Sequence, residues 1–256
     1  MSRPKRYELS AEQWDRIKDL LPGKAGDPGR SGADNLTFVN GVLWVLRSGA
    51  HWHDLPERYG KWKTVHKRFT RWAKTGVWER VFAHLVRDPD NDYVSLDSSL
   101  VRAHQQAATG KGGGQKGGGQ ALGRSRGGLT TKIHMAVDAL GRPLKLILTP
   151  GQRGDAPLAP ALLDGLSPRR VLADKAYDSN AIRALIADMG AEAVIPSNPT
   201  RKRRIAYDFE AYKMRNTVER GFNKLKHFRR IATRFDRRAV YFLGFLQIAA
   251  AMLWMR

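Results

Sequence analysis

Three acidic residues stand apart by what surrounds them. Asp97 closes the apolar run Tyr93 to Leu96, and Asp174 closes Val171 to Ala173, so each is expected at the C-terminal end of a short strand. Reactive groups in open α/β sheets gather beyond those ends. An ionised carboxylate beside a core is costly unless a cation meets it. Two such groups side by side suit Mg2+, which takes oxygen ligands and keeps several waters. Glu219 is the third. Between Ala211 and Asp236 it is the only acid, amid Lys213, Arg215, Arg220, Lys224, Lys226, Arg229 and Arg230. Plainer readings stand beside these: Asp174 as a turn residue or cap, Asp178 as the cap of the next helix, Glu219 as an i, i+4 partner of Arg215 or Asn223.

The segment from Tyr207 to about Arg230 reads as one long basic helix. At about 100° per residue and with Tyr212 at zero, Arg215 falls near 300°, Glu219 near 340° and Lys226 near 320°. Ala211, Met214, Val218, Phe222 and Leu225 occupy an adjacent arc. The helix is therefore expected to bury one face and to hold an aromatic, two cations and an acid along its border.

The elements that must position these groups fall into two textures. Residues 8 to 90 read as helical. Ser10 and Gln13 have capping-box spacing, Asn35 to Arg47 carries a strong apolar stripe, Lys61 to Lys74 is a third helix, and Trp78 to Val86 a fourth. The third has a basic face of Lys61, Lys63, Lys67, Arg68, Arg71 and Lys74, which suggests a helix-turn-helix-like DNA reader; a bundle with a solvated basic face is the alternative.

From Asp92 the order is strand, glycine-rich basic loop (108–128), a hairpin around Asp138 to Arg142, then alternating helices and strands. This is an α/β fold with a mixed sheet. Asp138 is expected as a turn residue, and His104 and His134 as structural. Arg201, Lys202, Arg203 and Arg204 form a basic run, and Ala239 to Arg256 an apolar terminal helix, better read as buried than as a membrane span. No Walker-type phosphate loop is present.

Composition narrows the partners. The 256 residues hold 45 Lys plus Arg against 24 Asp plus Glu, a formal charge of +21. Charge of that size points to a polyanion, nucleic acid or an anionic membrane. With 42% hydrophobic residues there is material for a core. The absence of cysteine excludes disulfides and thiolate chemistry and fits a reducing cytoplasm. The opening residues lack the apolar run of a signal peptide.

The spacing Tyr212-x2-Arg215-x3-Glu219-x6-Lys226 resembles the Tyr-Arg-Glu-Lys signature of bacterial insertion-sequence transposases with an Asp-Asp-Glu triad. The chain from about residue 8 to 255 is similar to the family named after insertion sequence five, through LSAEQWDRI, SLDSSLVRAHQ, VLADKAYDS and NTVERGFNKLKHFRRIATRFD. That resemblance implies a ribonuclease-H-like catalytic domain over 91–256 behind a helical DNA-binding domain over 1–90. It implies Asp97, Asp174 and Glu219 as catalytic acids holding two Mg2+ ions (Mn2+ substituting), about 3.5–4 Å apart. Water would cut at the terminal inverted repeats of an element, and the freed 3′-OH would attack target DNA. Arg215 and Lys226 would hold phosphates, Tyr212 would stack on a base or pack on a sugar, and Arg201 to Arg204 would track the backbone. Double-stranded DNA is the implied partner, with a homodimer in the synaptic complex, no membrane, and the bacterial nucleoid as location. A non-catalytic DNA-binding regulator and a purely hydrolytic nuclease on the same fold stay open as alternatives.

Overall fold

A computed structural model describes residues 7–24, 26–27, 34–109 and 120–256. Its helices start where the sequence marks them. Gln13 N donates to Ser10 Oγ while Ser10 N donates to Gln13 Oε1, a reciprocal capping box opening α1 (Ala11–Asp15). Asp34 caps α2 (Asn35–Ser48) by accepting from Thr37 N. Helices α3 (Trp62–Lys74) and α4 (Val77–Leu85) follow. Next come β1 (Tyr93–Ala103), the short α5 (Gln105–Ala108), β2 (Gly123–Ser125), β3 (Gly128–Val137) and β4 (Pro143–Pro150). Then α6 (Ala159–Leu163), β5 (Arg170–Leu172), α7 (Asn180–Asp188) and β6 (Glu192–Val194) alternate. The remaining elements are α8 (Phe209–Lys213), α9 (Asn216–Lys226), α10 (Arg229–Ala232), the two-residue β7 (Thr233–Arg234) and α11 (Ala239–Trp254). Of the glycine-rich loop, residues 110–119 lie outside the described residues, Lys111 and Lys116 among them, while Gly123 to Ser125 forms β2.

The chain packs as two units. One combines the described residues before 88 with 104–109 and 225–256. Its core is aromatic. Phe38 meets Trp72 edge-on at 4.9 Å, Trp72 lies 5.2 Å from Trp78, and Phe69 stacks on Phe245 at 4.3 Å. Phe245 belongs to α11, which is apolar all round and is stable only where it is covered. Gly244 allows the approach: a Cβ there would stand 3.1 Å from Ala73 Cβ and 3.2 Å from Trp78 Cδ1. The apolar surface of α11 is completed by α3 and α4. No described helix is long and apolar enough to cross a membrane.

The second unit (88–103 and the described part of 120–224) holds the mixed sheet. Strand β3 pairs antiparallel with β1, β2 and β4. Strand β1 pairs parallel with β5, and β5 parallel with β6. The α/β expectation and the hairpin around Asp138 both hold. Asp138 accepts from the backbone N–H groups of Leu140 (3.1 Å) and Arg142 (2.8 Å), as a turn residue does.

Two local expectations need correcting. Asp97 does not end its strand: β1 continues to Ala103 because β3 pairs with it from Ser95 to Arg102. Only the parallel partner stops early, at Leu172. The long basic helix is also broken, into α8, α9 and α10. Between Ala211 and Val218 the backbone donors shift to i→i−3 partners (Met214 to Ala211, Arg215 to Tyr212, Thr217 to Met214, Val218 to Arg215), and Thr217 Oγ1 donates to Met214 O at 2.5 Å. Such a threonine back-bond tightens and bends a helix.

Candidate active site

The register of β1 and β5 places the first two acids. Ser95 is paired with Leu172 in a parallel ladder. Asp97 and Asp174 each lie two residues beyond that last pair, on neighbouring segments, and the Asp174 charge acts on the Asp97 carboxyl. Asp174 is also the cap of the short turn Lys175–Tyr177, its Oδ1 accepting from Ala176 N at 2.9 Å. The structural and chemical readings of this residue coexist, because one oxygen suffices for the cap. Asp178 is not a helix cap; Ser179 caps α7.

Helix α9 supplies the third acid and is fixed from two sides. Tyr93 Oη, at the start of β1, lies 2.9 Å from Thr217 Oγ1 and donates to Ala139 O at 3.0 Å. One turn on, a Cβ at Gly221 would stand 3.2 Å from Met135 Cε and 3.3 Å from Val137 Cγ1, so glycine lets α9 lie close to β3 without displacing those side chains. Glu219 lies between these two anchors, on the half of the helix that Val218 and Phe222 do not bury.

Arg215 ties the acids together. Its Nη1 donates to Asp97 Oδ2 at 3.0 Å and its Nη2 to Glu219 Oε1 at 3.0 Å. Asp97 Oδ1 accepts from Ser98 N at 2.7 Å. The Asp97 and Arg215 side chains are largely covered, at 21% and 17% exposure, while Glu219 is open at 53%. Burial pushes the Asp97 carboxyl above its ordinary value; Ser98 N–H and Arg215 pull it back, and Asp174 pushes it up again. Burial opposes the charged form of Arg215, but Asp97 outweighs it and raises that group. The result is a guanidinium shared by two carboxylates with a third acid within electrostatic reach. Among the described residues, no three His, Cys, Asp or Glu side chains already converge as a closed metal cluster.

The other expected contacts separate. Tyr212 is half-buried against Tyr93, Leu172 and Val194, and meets Tyr207 edge-on at 5.5 Å. Lys226 is the last residue of α9. Of the basic run, Lys202, Arg203 and Arg204 are exposed, but Arg201 is spent on Asp178 (Nε 2.8 Å, Nη2 2.9 Å) and Asn180. Lys61, just before α3, and Lys63, Lys67 and Arg71 on it are exposed. Arg68 instead lies over the rings of Phe38 (4.4 Å) and Trp72 (4.7 Å) and bonds Asn35.

A second polar group next to Asp97 carries no mark in the sequence. Asp155 Oδ1 accepts from Ser98 Oγ at 2.8 Å and from Lys132 Nζ at 3.0 Å, with His134 Nδ1 at 3.5 Å. The fully buried Tyr177 Oη has no hydrogen-bond partner. Burial, then the charges of Asp155, Asp97 and Asp174, push its phenol up.

Comparison with known proteins decides what this arrangement belongs to. Residues 88–254 match the family model "Transposase DDE domain". The chain belongs to that family. Residues 9–82 match a second model, "Putative transposase of IS4/5 family". A Brucella ovis protein named "Putative transposase for insertion sequence element IS6501" is 47% identical over 130 residues, 50% of this chain and 100% of that one. A Burkholderia cepacia protein named "Putative transposase for insertion sequence element IS402" is 35% identical over 135 residues, 48% of this chain and 62% of that one. The solved piggyBac transposase synaptic complex with hairpin DNA is similar over 95% of this chain and 70% of that chain, with a TM-score of 0.54 and 11% identity. That likeness concerns the fold alone, the ribonuclease-H-like architecture. The DDE-domain match covers Asp97, Asp174, Arg215 and Glu219 together.

Proposed function

We propose that this chain cleaves DNA at the terminal inverted repeats of an insertion sequence and joins the freed 3′-OH ends to target DNA, using Asp97, Asp174 and Glu219. The observation that supports this reading is that Asp97 and Asp174 follow the paired ends of β1 and β5 by two residues each, with Arg215 linking Asp97 to Glu219. The donor set suits an oxygen-seeking cation: carboxylates alone, with an unpartnered buried hydroxyl, Tyr177, in the same field. Asp97, Asp174 and Glu219 would hold Mg2+ or Mn2+, two ions in all. When bound, the metal polarises the attacking oxygen and stabilises the leaving one.

In the first step a water oxygen bonds to phosphorus, the bond to the 3′-oxygen breaks, and that oxygen leaves as a hydroxyl. In the second, this hydroxyl attacks a target phosphorus and displaces a target 3′-oxygen. Arg215 is the cation nearest the acids and would balance phosphate charge beside them. Lys226 would hold phosphate further along the strand, and Tyr212 would pack on sugar or base. Residues 1–90 would recognise the element ends through Lys61, Lys63, Lys67 and Arg71, and 91–256 would carry the chemistry. Lys202, Arg203 and Arg204 would follow the backbone, and two copies would pair two ends in the bacterial nucleoid.

The test is incubation with a plasmid bearing the native ends, with and without Mg2+ or Mn2+, beside Asp97→Asn and Glu219→Gln. Metal-dependent cleavage and joined products from the unmodified protein, absent in both variants, are expected. Cut but never joined DNA would indicate a nuclease, and binding without cutting a regulator.

A further inference from the structure

Asp97 and Ser98 are consecutive on an extended strand, so their side chains leave opposite faces of β1. On one side Arg215 holds Asp97. On the other, Ser98 Oγ donates to Asp155 Oδ1, while Ser98 N donates to Asp97 Oδ1. Ser98 is therefore the link through which Asp155 reaches the first acid. Asp155 is itself fixed. Lys132 Nζ donates to Asp155 Oδ1 and to Arg153 O (2.7 Å), tying the loop after β4 back to β3. His134 faces Ser98 across the β1–β3 ladder, and its Nε2 lies 2.8 Å from Thr149 Oγ1 on β4. One carboxylate oxygen on the β4–α6 loop thus gathers groups from β1 and β3 beside Asp97.

We propose that Asp155 is a positioning residue for Asp97, acting through Ser98 to hold the first acid in the geometry that metal binding requires. The inference rests on the triad reading given above. Partners standing behind metal-binding side chains typically change metal affinity about 10- to 100-fold when removed. Asp155 stands in that relation to Asp97, one hydrogen-bonded residue away.

The test is Mn2+ titration of the full-length protein, followed by electron paramagnetic resonance of the free ion, with thermal melting measured in parallel. Asp155→Asn keeps the shape of the side chain, and Ser98→Ala removes only the linking hydroxyl. Each is expected to weaken Mn2+ binding about 10- to 100-fold. The double variant should be no weaker than the worse single one, because both break the same link. Affinity for duplex DNA without metal should not change. Asp164→Asn, which removes the charge of an exposed carboxylate outside this group of contacts, is the control and should leave Mn2+ binding intact. If both single variants bind Mn2+ as the unmodified protein does, or if their effects add, Asp155 does not position Asp97. A lower melting temperature with unaltered Mn2+ affinity would make its role structural and overturn the proposal. If the unmodified protein itself binds no Mn2+, the triad reading fails and this inference falls with it.

Discussion

Two carboxylates of the sheet unit, Asp178 and Asp97, are each held by arginine, and to opposite ends. Asp178 is sealed: its side chain is fully buried, and it accepts from Arg183 Nε, Arg201 Nε and Nη2, and Asn198 N. Burial pushes that carboxyl up, but the bonds from Arg201, Asn198 and Arg183 outweigh it and hold it well below the ordinary range. Asp97 has one arginine, which it shares with Glu219, and an acidic neighbour; it is raised rather than lowered. An over-satisfied carboxylate has no affinity left to offer a ligand and serves the fold. An under-satisfied one, partly exposed and crowded by another acid, is a site waiting for more positive charge.

That contrast is sharpest in substitutions that remove only the charge. Asp97→Asn should reduce cleavage to background while leaving DNA binding and thermal stability nearly unchanged, because Arg215 keeps Glu219. Retained cleavage would erase the distinction between the two acids. Asp178→Asn should do the reverse. It leaves two arginines facing a neutral amide in a buried setting, and breaking such a network costs about 3–5 kcal/mol. Urea denaturation measures it, and the folded fraction should still cleave. A loss below about 1 kcal/mol, the range of exposed pairs, would show that Asp178 is not the fold's anchor.

Why one acid was legible in the sequence and the other was not follows from the range of the causes. Asp97 and Asp174 are marked by apolar runs immediately before them, and Glu219 by the bases around it, all within a few residues. Asp178 read as a helix cap because its true partners, Arg201 and Asn198, are some twenty residues away on a different segment. The same limit hid the length of β1, which depends on pairing with β3. It hid the contact of Thr217 with Tyr93 that anchors the start of α9. In the run Arg201 to Arg204 all four residues look alike, yet the first is spent inside the fold. The placement of α11 was legible as burial but not as to which unit would cover it.

A third carboxylate environment tests the contrast through pH. His134 is fully buried, and burial pushes its imidazole down to about 4, against the upward pull of Asp155. The folded protein therefore stays unprotonated here between about 6.5 and about 4, while the unfolded chain takes up a proton. Stability should fall as pH drops through that window and then level off below it. His134→Gln should flatten this part of the curve relative to the unmodified protein in denaturant titrations at several pH values. A parallel curve would mean that His134 titrates normally. Asp178 contributes in a separate, more acidic range, because its lowered carboxyl loses its stabilising effect only as pH falls below the ordinary value of 3.8.

The smallest effect divides the basic run itself. Arg201 holds Asp178 at 18% exposure, whereas Arg203 and Arg204 extend into solvent. Each phosphate contact made by an exposed cation contributes about 0.9 to the slope of log affinity against log salt. Arg203→Ala combined with Arg204→Ala should therefore lower that slope by about 1–2, weaken binding to all DNA sequences alike, and leave stability untouched. Arg201→Ala should lower stability and leave the slope of the remaining folded protein unchanged, because its charge is already neutralised by a buried acid. Fluorescence anisotropy of a labelled duplex over a salt series, paired with melting curves, reads both. If Arg201→Ala changes the slope as much as the distal pair does, then DNA draws Arg201 away from Asp178, and the separation between fold-holding and DNA-facing charge fails at this point.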